Sequence, residues 1–299
     1  MKTIKLALLC AAVLALPLSA EVRNSERFAA PLMLPDLQTP YSELLQNAAI
    51  ANGKGPLRPE PNVVLEGSEN AFVFPIVGSA AAGGGLFFRS ETVIYNRLNR
   101  QQNIAIYYFP IGGGAANCLR PAKQMRLDAN AWYVWTDFVA DALSTNGLGA
   151  VIVLAVTSTG NVDTTARIDG NSRIWTPQPG TNGTTSQNFP SVSLKMPAGG
   201  QSSFGLRHDE FYRSNYGIFN YDTVPRTFRV RPNGLRGNPV TFNVALDACS
   251  ATLSPLQGGP YGSYELYIEA VDGRALFFTF GSSVDNATGD SWSVIGRSF

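Results

Sequence analysis

Histidine is almost missing from this chain: His208 is the only one in 299 residues. A Ser-His-Asp triad would have to be built on it. No strained Gly-x-Ser-x-Gly turn surrounds any serine, and a lone histidine beside Asp209 and Glu210 reads as a loop residue. Cysteine is scarce as well, at three, so zinc sites needing three or four Cys and His ligands are excluded by number. Charged residues make up only 15%, and the net charge is +1. That balance provides no basic stripe for nucleic acid. No apolar run reaches the ~18 residues that a transmembrane helix requires. The glycine runs Gly83-Gly84-Gly85 and Gly112-Gly113-Gly114 are not phosphate loops, because no Gly-Lys-Ser/Thr follows them.

What the start of the chain does have is a targeting pattern. Lys2 and Lys5 precede an apolar stretch over residues 6–18, and Leu18-Ser19-Ala20 offers a small-residue cleavage site. Residues 1–20 are therefore expected to be a signal peptide, and the protein to be secreted, periplasmic or at the cell surface. Cys10 follows Leu9 where a lipoprotein signal wants a small residue, so lipidation is not expected. Outside the cytosol Cys118 and Cys249 either pair or remain two buried thiols. Residues 21–70 are rich in proline and read as an extension with one short helix, from Ser42 to Ala51.

The body of the chain is organised around a stretch that occurs twice. Phe87-Phe88-Arg89-Ser90-Glu91-Thr92-Val93-Ile94-Tyr95-Asn96 returns 124 positions later as Phe211-Tyr212-Arg213-Ser214-Asn215-Tyr216-Gly217-Ile218-Phe219-Asn220, with five of ten positions identical. Each copy reads as a strand, with alternate aromatic and β-branched residues on its two faces. Each stops at an asparagine, a turn residue. The next apolar pattern (Ile104, Ile106 and Tyr108; Phe228 and Val230) predicts a hairpin in each copy. Ala150–Val156 is apolar throughout, as a strand buried on both faces would be. Thr164–Ile168 is expected to be a strand, and Asn171–Pro190 an ordered loop. Tyr264, Leu266 and Ile268 alternate with Glu265, Tyr267 and Glu269, the mark of an antiparallel strand with one wet face. The fold class that follows is all-β: two tandem Ig-like antiparallel β-sandwich domains, residues 71–190 and 191–299, arising from an internal repeat.

Candidate functional residues are few. In Trp132-Tyr133-Val134-Trp135-Thr136-Asp137-Phe138, alternation assigns Trp132, Val134 and Phe138 to the core. Tyr133, Trp135 and Asp137 are left as a candidate ligand-binding face, on which a sugar ring would stack on Trp135 and bond Asp137. Asp285, Asn286 and Asp290 cluster in one glycine-containing turn and are the candidate ligands for a Ca2+ ion, although no loop has full EF-hand spacing. Glu265 and Glu269 share one strand face and are the nearest thing to paired glycosidase carboxylates. Arg89 and Arg213 recur as a pair and read as arginines bonded to neighbouring loops. These features predict a secreted, non-enzymatic module for extracellular binding or adhesion, its partner a glycan, matrix or protein ligand. The alternatives are a glycan-active hydrolase with unrecognised carboxylates and a structural subunit of a surface assembly.

The run Phe72-Val73-Phe74-Pro75-Ile76-Val77-Gly78, with Phe88-Arg89-Ser90, Ala166-Arg167-Ile168, Leu206-Arg207, Tyr212-Arg213-Ser214-Asn215 and Gly281-Ser282-Ser283-Val284-Asp285-Asn286, carries a resemblance. Over about residues 70–299 the chain resembles a group of uncharacterised exported bacterial proteins, abundant in soil lineages such as acidobacteria. The resemblance implies export and tandem β-sandwich modules. It brings no catalytic or binding residues with it.

Overall fold

The computed structural model describes residues 39–53, 70–82, 85–178, 180, 182–194 and 199–298. The expected signal peptide and most of the proline-rich extension lie outside them. The described chain is all-β apart from two short helices and one 3-10 turn. Helix α1 is Tyr41–Gly53 and α2 is Phe138–Asp141.

Strands β1 (Ala71–Ala81), β2 (Phe87–Asn96), β3 (Gln102–Pro110), β4 (Lys123–Leu127), β5 (Trp132–Trp135), β6 (Gly147–Val156), β7 (Ile168–Pro177), β8 (Thr184–Pro190) and β9 (Val192–Ser193) make the first half. The second half holds β10 (Gly200–His208), β11 (Tyr212–Asn220), β12 (Arg226–Gly234), β13 (Phe242–Leu246), β14 (Ser250–Pro255), β15 (Gly262–Ala270), β16 (Phe277–Asp285), β17 (Ser291–Ile295) and β18 (Arg297–Ser298). Pairing repeats with an offset of nine strands. β4-β3-β6-β1, with β9 on β1, matches β13-β12-β15-β10-β18. β2-β7-β8, with β5 on β2, matches β14-β11-β16-β17. All the paired strands are antiparallel. Even an irregularity recurs: the β1–β6 ladder slips between Phe74 and Val77, and the β10–β15 ladder slips between Ser203 and Leu206.

Three expectations need correction. Neither repeated strand forms a hairpin with its successor: β2 pairs with β1, β5 and β7, whereas β3 pairs with β4 and β6. Asn96 carries the chain from β2 to β3, three places away in the same nine-stranded sheet of order β4-β3-β6-β1-β2-β7-β8. Its buried amide donates to the carbonyls of Arg100 (2.7 Å) and Asp128 (2.8 Å), and its Oδ1 accepts from Leu98 N–H (3.0 Å). Second, residues 171–190 are not a loop. β7 and β8 form a hairpin from Asn171↔Pro190 to Pro177↔Thr184, with Pro177, Gly180 and Gly183 at its tip. Third, Thr164 to Arg167 is turn and coil, and the strand begins at Ile168.

The apolar strand β6 is buried on both faces for two different reasons. Val151, Val153 and Ala155 point into the sandwich core with Phe72, Phe74, Ile104 and Ile106. Ile152 and Leu154 point outward, with Val73, Tyr107 and Phe109, and are covered by Tyr41, Leu44 and Leu45 of α1 and by Phe219, Tyr221, Ala251 and Phe278 of the second half. Burying each such side chain contributes on the order of 1.5–3 kcal/mol, so this seam binds the halves as firmly as a core does. The matching positions of the second half carry charge instead. The ladder pairs Ala105↔Leu154 and Tyr107↔Ile152 become Arg229↔Glu269 and Arg231↔Tyr267. A face that is dry in the first copy is solvated in the last, as the outer face of an end repeat must be.

A disulfide crosses the seam. Cys118, in the 3-10 turn Ala115–Cys118, is bonded to Cys249, just before β14, with Cα atoms 5.8 Å apart.

Candidate functional site

The cavity that this arrangement leaves lies between the halves. β2, β7 and β8 present Phe88, Ile174, Thr176, Gln187 and Phe189 from their inner face, at the end where the slip in β1 displaces Ile76. Period-two alternation requires this set, because Thr92 and Ser172, on the same face, bond each other at 2.9 Å in the core. The opposite wall is the outer face of the second half: Leu253, Arg213, Asn215, Phe280, Ser282 and Val284. One side is stitched shut where β17 meets β8, with Ser293 Oγ donating to the Asn188 carbonyl at 3.0 Å.

The space measures about 470 Å³, in the range of small-ligand clefts. Its floor is apolar: Ile76, Phe189 and Phe280 pack together, with Leu148, Ile174 and Leu253 against them. Its rim is made of hydroxyls, amides and one guanidinium. Two polar features stand out. Thr176 is 4% exposed and its Oγ1 has no hydrogen-bond partner, a state that a native interior rarely tolerates without a reason. Arg213 is exposed, and its Nη1 donates to the neutral Asn286 Oδ1 at 3.1 Å. The repeat partner Arg89 is occupied differently, lying 3.6 Å from Asp137, 4.7 Å over the Phe87 ring and 5.7 Å from the Trp175 ring. No Asp, Glu or His lines the cleft among the described residues.

Superposing Asn96 on Asn220 by register places Phe88 at Tyr212, Thr176 at Asp285 and Gln187 at Trp292. The equivalent mouth of the second half is narrowed by its own side chains, beside a hollow lined by Arg207, Glu210, Tyr212 and Asp285. Trp292 packs edge-on against Tyr212 at 5.6 Å, and Arg207 lies 4.4 Å over the Tyr212 ring. In the first half a glutamine stands where the second has a tryptophan, which leaves the space open.

The sequence-predicted ligand face lies elsewhere: Phe138 is in the core as expected, but within β5 the face assignment is inverted. Tyr133 and Trp135 are in the core of the first half, 5% and 4% exposed, while Trp132 is 63% exposed. Trp135 packs edge-on against Phe138 at 5.3 Å. The parity fails because β5 ends at Trp135 and Phe138 belongs to α2, so alternation cannot be run through both. Asp137 caps that helix: Oδ1 accepts from Ala140 N–H (3.4 Å) and Oδ2 from Ser79 Oγ (2.9 Å). None of the three lines the cleft.

Asp285, Asn286 and Asp290 do share one turn. Asp285 Oδ1 accepts the Ala287 and Thr288 N–H groups at 2.7 and 3.0 Å, which holds its carboxyl below the usual range. Asn286 Oδ1 faces Arg213. Those oxygens serve the turn, and no group of three or more His, Cys, Asp or Glu converges among the described residues. The turn closes through Gly289, at φ +78°, and brings Thr288 and Gly289 to the cleft rim. Glu265 accepts from Ser202 Oγ (2.5 Å) and Asn233 Nδ2 (3.1 Å). Burial works upward on Glu269, but its pairing with Arg231 and Arg229 outweighs that and holds its carboxyl low. Both carboxylates lie on the solvated face, away from the cleft. His208 Nε2 is 3.2 Å from the Gly258 carbonyl, beside the Tyr261 ring.

The cleft residues Thr176 and Gln187 carry no local pattern that marks them, whereas Arg213 is marked by the repeat but reads from sequence as an internally bonded arginine. The signal present in the sequence was the alternation on the repeated strand that turns Arg213 and Asn215 outward.

No protein family model and no curated protein matches the chain. Among solved structures, a crystal structure of Thermotoga maritima 1070 is similar at 14% identity and a TM-score of 0.29, covering 34% of this chain and 95% of that one. Among the described residues no helix is long and apolar enough to cross a membrane.

Proposed function

We propose that the protein is an exported, non-enzymatic binding module whose ligand sits in the cleft between its two halves. The observation that carries this reading is the cleft itself, about 470 Å³ with an apolar floor and a polar rim. Such a cleft, walled by two rigid sheets, is the usual form of a small-ligand site. Its wall groups are hydroxyls, amides, hydrocarbon and one guanidinium, which suit recognition. Export rests on the targeting pattern of residues 1–20.

The test uses the second half as its guide. Gln187→Trp copies the tryptophan at the equivalent position and fills the cleft from the rim. Thermal-shift screening of small organic molecules is expected to find ligands that raise the Tm of the wild type but not of Gln187→Trp. Hits that stabilise both proteins equally would place binding elsewhere and defeat the reading. Expression in a bacterial host should yield a periplasmic product shortened by about 20 residues.

A further inference from the structure

We infer that the ligand of the inter-half cleft is an organic monoanion, with an apolar aliphatic or aromatic body and a carboxylate head held at the rim by Arg213. The inference rests on the binding-module reading and adds the ligand class.

Three observations carry it. The cleft floor offers only hydrocarbon, through Ile76, Leu148, Phe189, Leu253 and Phe280, so the part of a ligand that fills it must be apolar. A fully hydroxylated sugar would leave its hydroxyls unpaired there, at a cost of about 1–3 kcal/mol each. The charge at the rim has one sign. Arg213 is the only ionisable side chain among the described lining residues, and a low-dielectric wall strengthens its field toward an anion. Arg213 is also free to engage: its one hydrogen bond is to a neutral amide, and none of the ion pairs among the described residues includes it. A guanidinium presents five donors in a fork that fits a carboxylate. A repeat that needed its arginine only for internal bonding would tie it down as Arg89 is tied to Asp137. The buried, unpartnered Thr176 hydroxyl supplies one further donor or acceptor inside the lining.

Matched probes separate head from body. Octanoate and octanol share an apolar chain and differ in charge, so calorimetric titration of each reports the contribution of the anion. Octanoate is expected to bind about tenfold or more tightly than octanol. Arg213→Gln should remove that difference and leave octanol binding unchanged, and Gln187→Trp should abolish binding of both. Raised salt should weaken octanoate and spare octanol. Equal affinity of the two probes, or an Arg213→Gln variant that keeps the preference for octanoate, overturns the ligand class while the binding module stands. Failure of both probes to bind the wild type, with other ligands found in the screen, overturns the class in the same way. Binding of both that survives Gln187→Trp overturns the site and the function together.

Discussion

Asn220 repeats Asn96 bond for bond. Each side-chain amide donates to the carbonyl four residues ahead, Arg100 for one (2.7 Å) and Val224 for the other (3.1 Å). Each donates again across the turn, to Asp128 and Asp247, both at 2.8 Å. Each Oδ1 accepts the N–H two residues on, from Leu98 and Asp222. Both asparagines are fully buried. A side chain that satisfies three backbone groups where the chain leaves one strand for another that does not pair with it is a structural keystone, not a surface turn. Asn96→Ala and Asn220→Ala should each lower stability by about 2–4 kcal/mol, since buried backbone groups lose their partners. Urea unfolding measures it; a loss under about 0.5 kcal/mol in both would refute the account.

The repeated strand was legible because its two ends are local: alternation on one side, asparagine on the other. Where the chain went after the asparagine was not. A turn residue says that a strand stops, and whether the next strand pairs or crosses depends on bonds to Asp128 and Asp247, 32 and 27 positions away. Residues 171–190 were misread for a related reason. The alternation Ser172, Ile174, Thr176 is mostly hydroxyl, so the strand lacks the apolar signal that its burial would suggest. The cleft was beyond reach because its two walls belong to opposite halves, and the repeat places Phe88 and Arg213 on strands without showing that those strands face each other.

Cys118 and Cys249 close a loop of 131 residues across the seam. Restricting the unfolded chain over so long a loop is worth roughly 3–5 kcal/mol. Cys118→Ser with Cys249→Ser should therefore lower the unfolding free energy by about that amount. Reduction of the wild type should do the same. Equal stability of oxidised and reduced protein would show that the bond restrains nothing the seam does not already hold.

Alkali should open the same seam. Burial pushes the Tyr107 phenol up to about 12, and burial, followed by the neighbouring phenols and Asp222, raises Tyr41 as well. Burial likewise raises Tyr221. Their pKa values in the folded protein lie above that of an unfolded tyrosine, about 10. The stability they contribute is complete below about pH 10 and is lost as pH rises through the folded values. Thermal melts between about pH 9 and about pH 12 should show a falling Tm, and Tyr107→Phe should make the fall shallower. A flat profile would refute the linkage.

Trp132 and Trp135 should behave as opposites despite their spacing. Trp135→Ala removes a core side chain beside Tyr133 and Phe138 and should cost about 3–5 kcal/mol. Trp132 lies outside on Tyr95, ring centres 5.0 Å apart, so Trp132→Ala should cost under about 1 kcal/mol. Trp292 is exposed as well, so acrylamide quenching reduced in Trp132→Ala but undiminished in a destabilised Trp135→Ala would fix the faces. The reverse pattern would restore the outward reading of Trp135.

Thr176 offers the sharpest contrast between stability and binding. Its hydroxyl is buried without a partner, a state that costs roughly 1–3 kcal/mol relative to a satisfied one. Valine has the same shape without the hydroxyl. Thr176→Val should therefore raise the stability of the empty protein, by about 1 kcal/mol. If the hydroxyl is retained for a ligand, the same change should weaken octanoate binding several-fold. A variant that is more stable and binds less well is the expected pair of outcomes. Lower stability would mean that the hydroxyl already has a partner in the folded protein. Higher stability with undiminished octanoate binding would place the head group away from Thr176 and leave Arg213 to hold it alone.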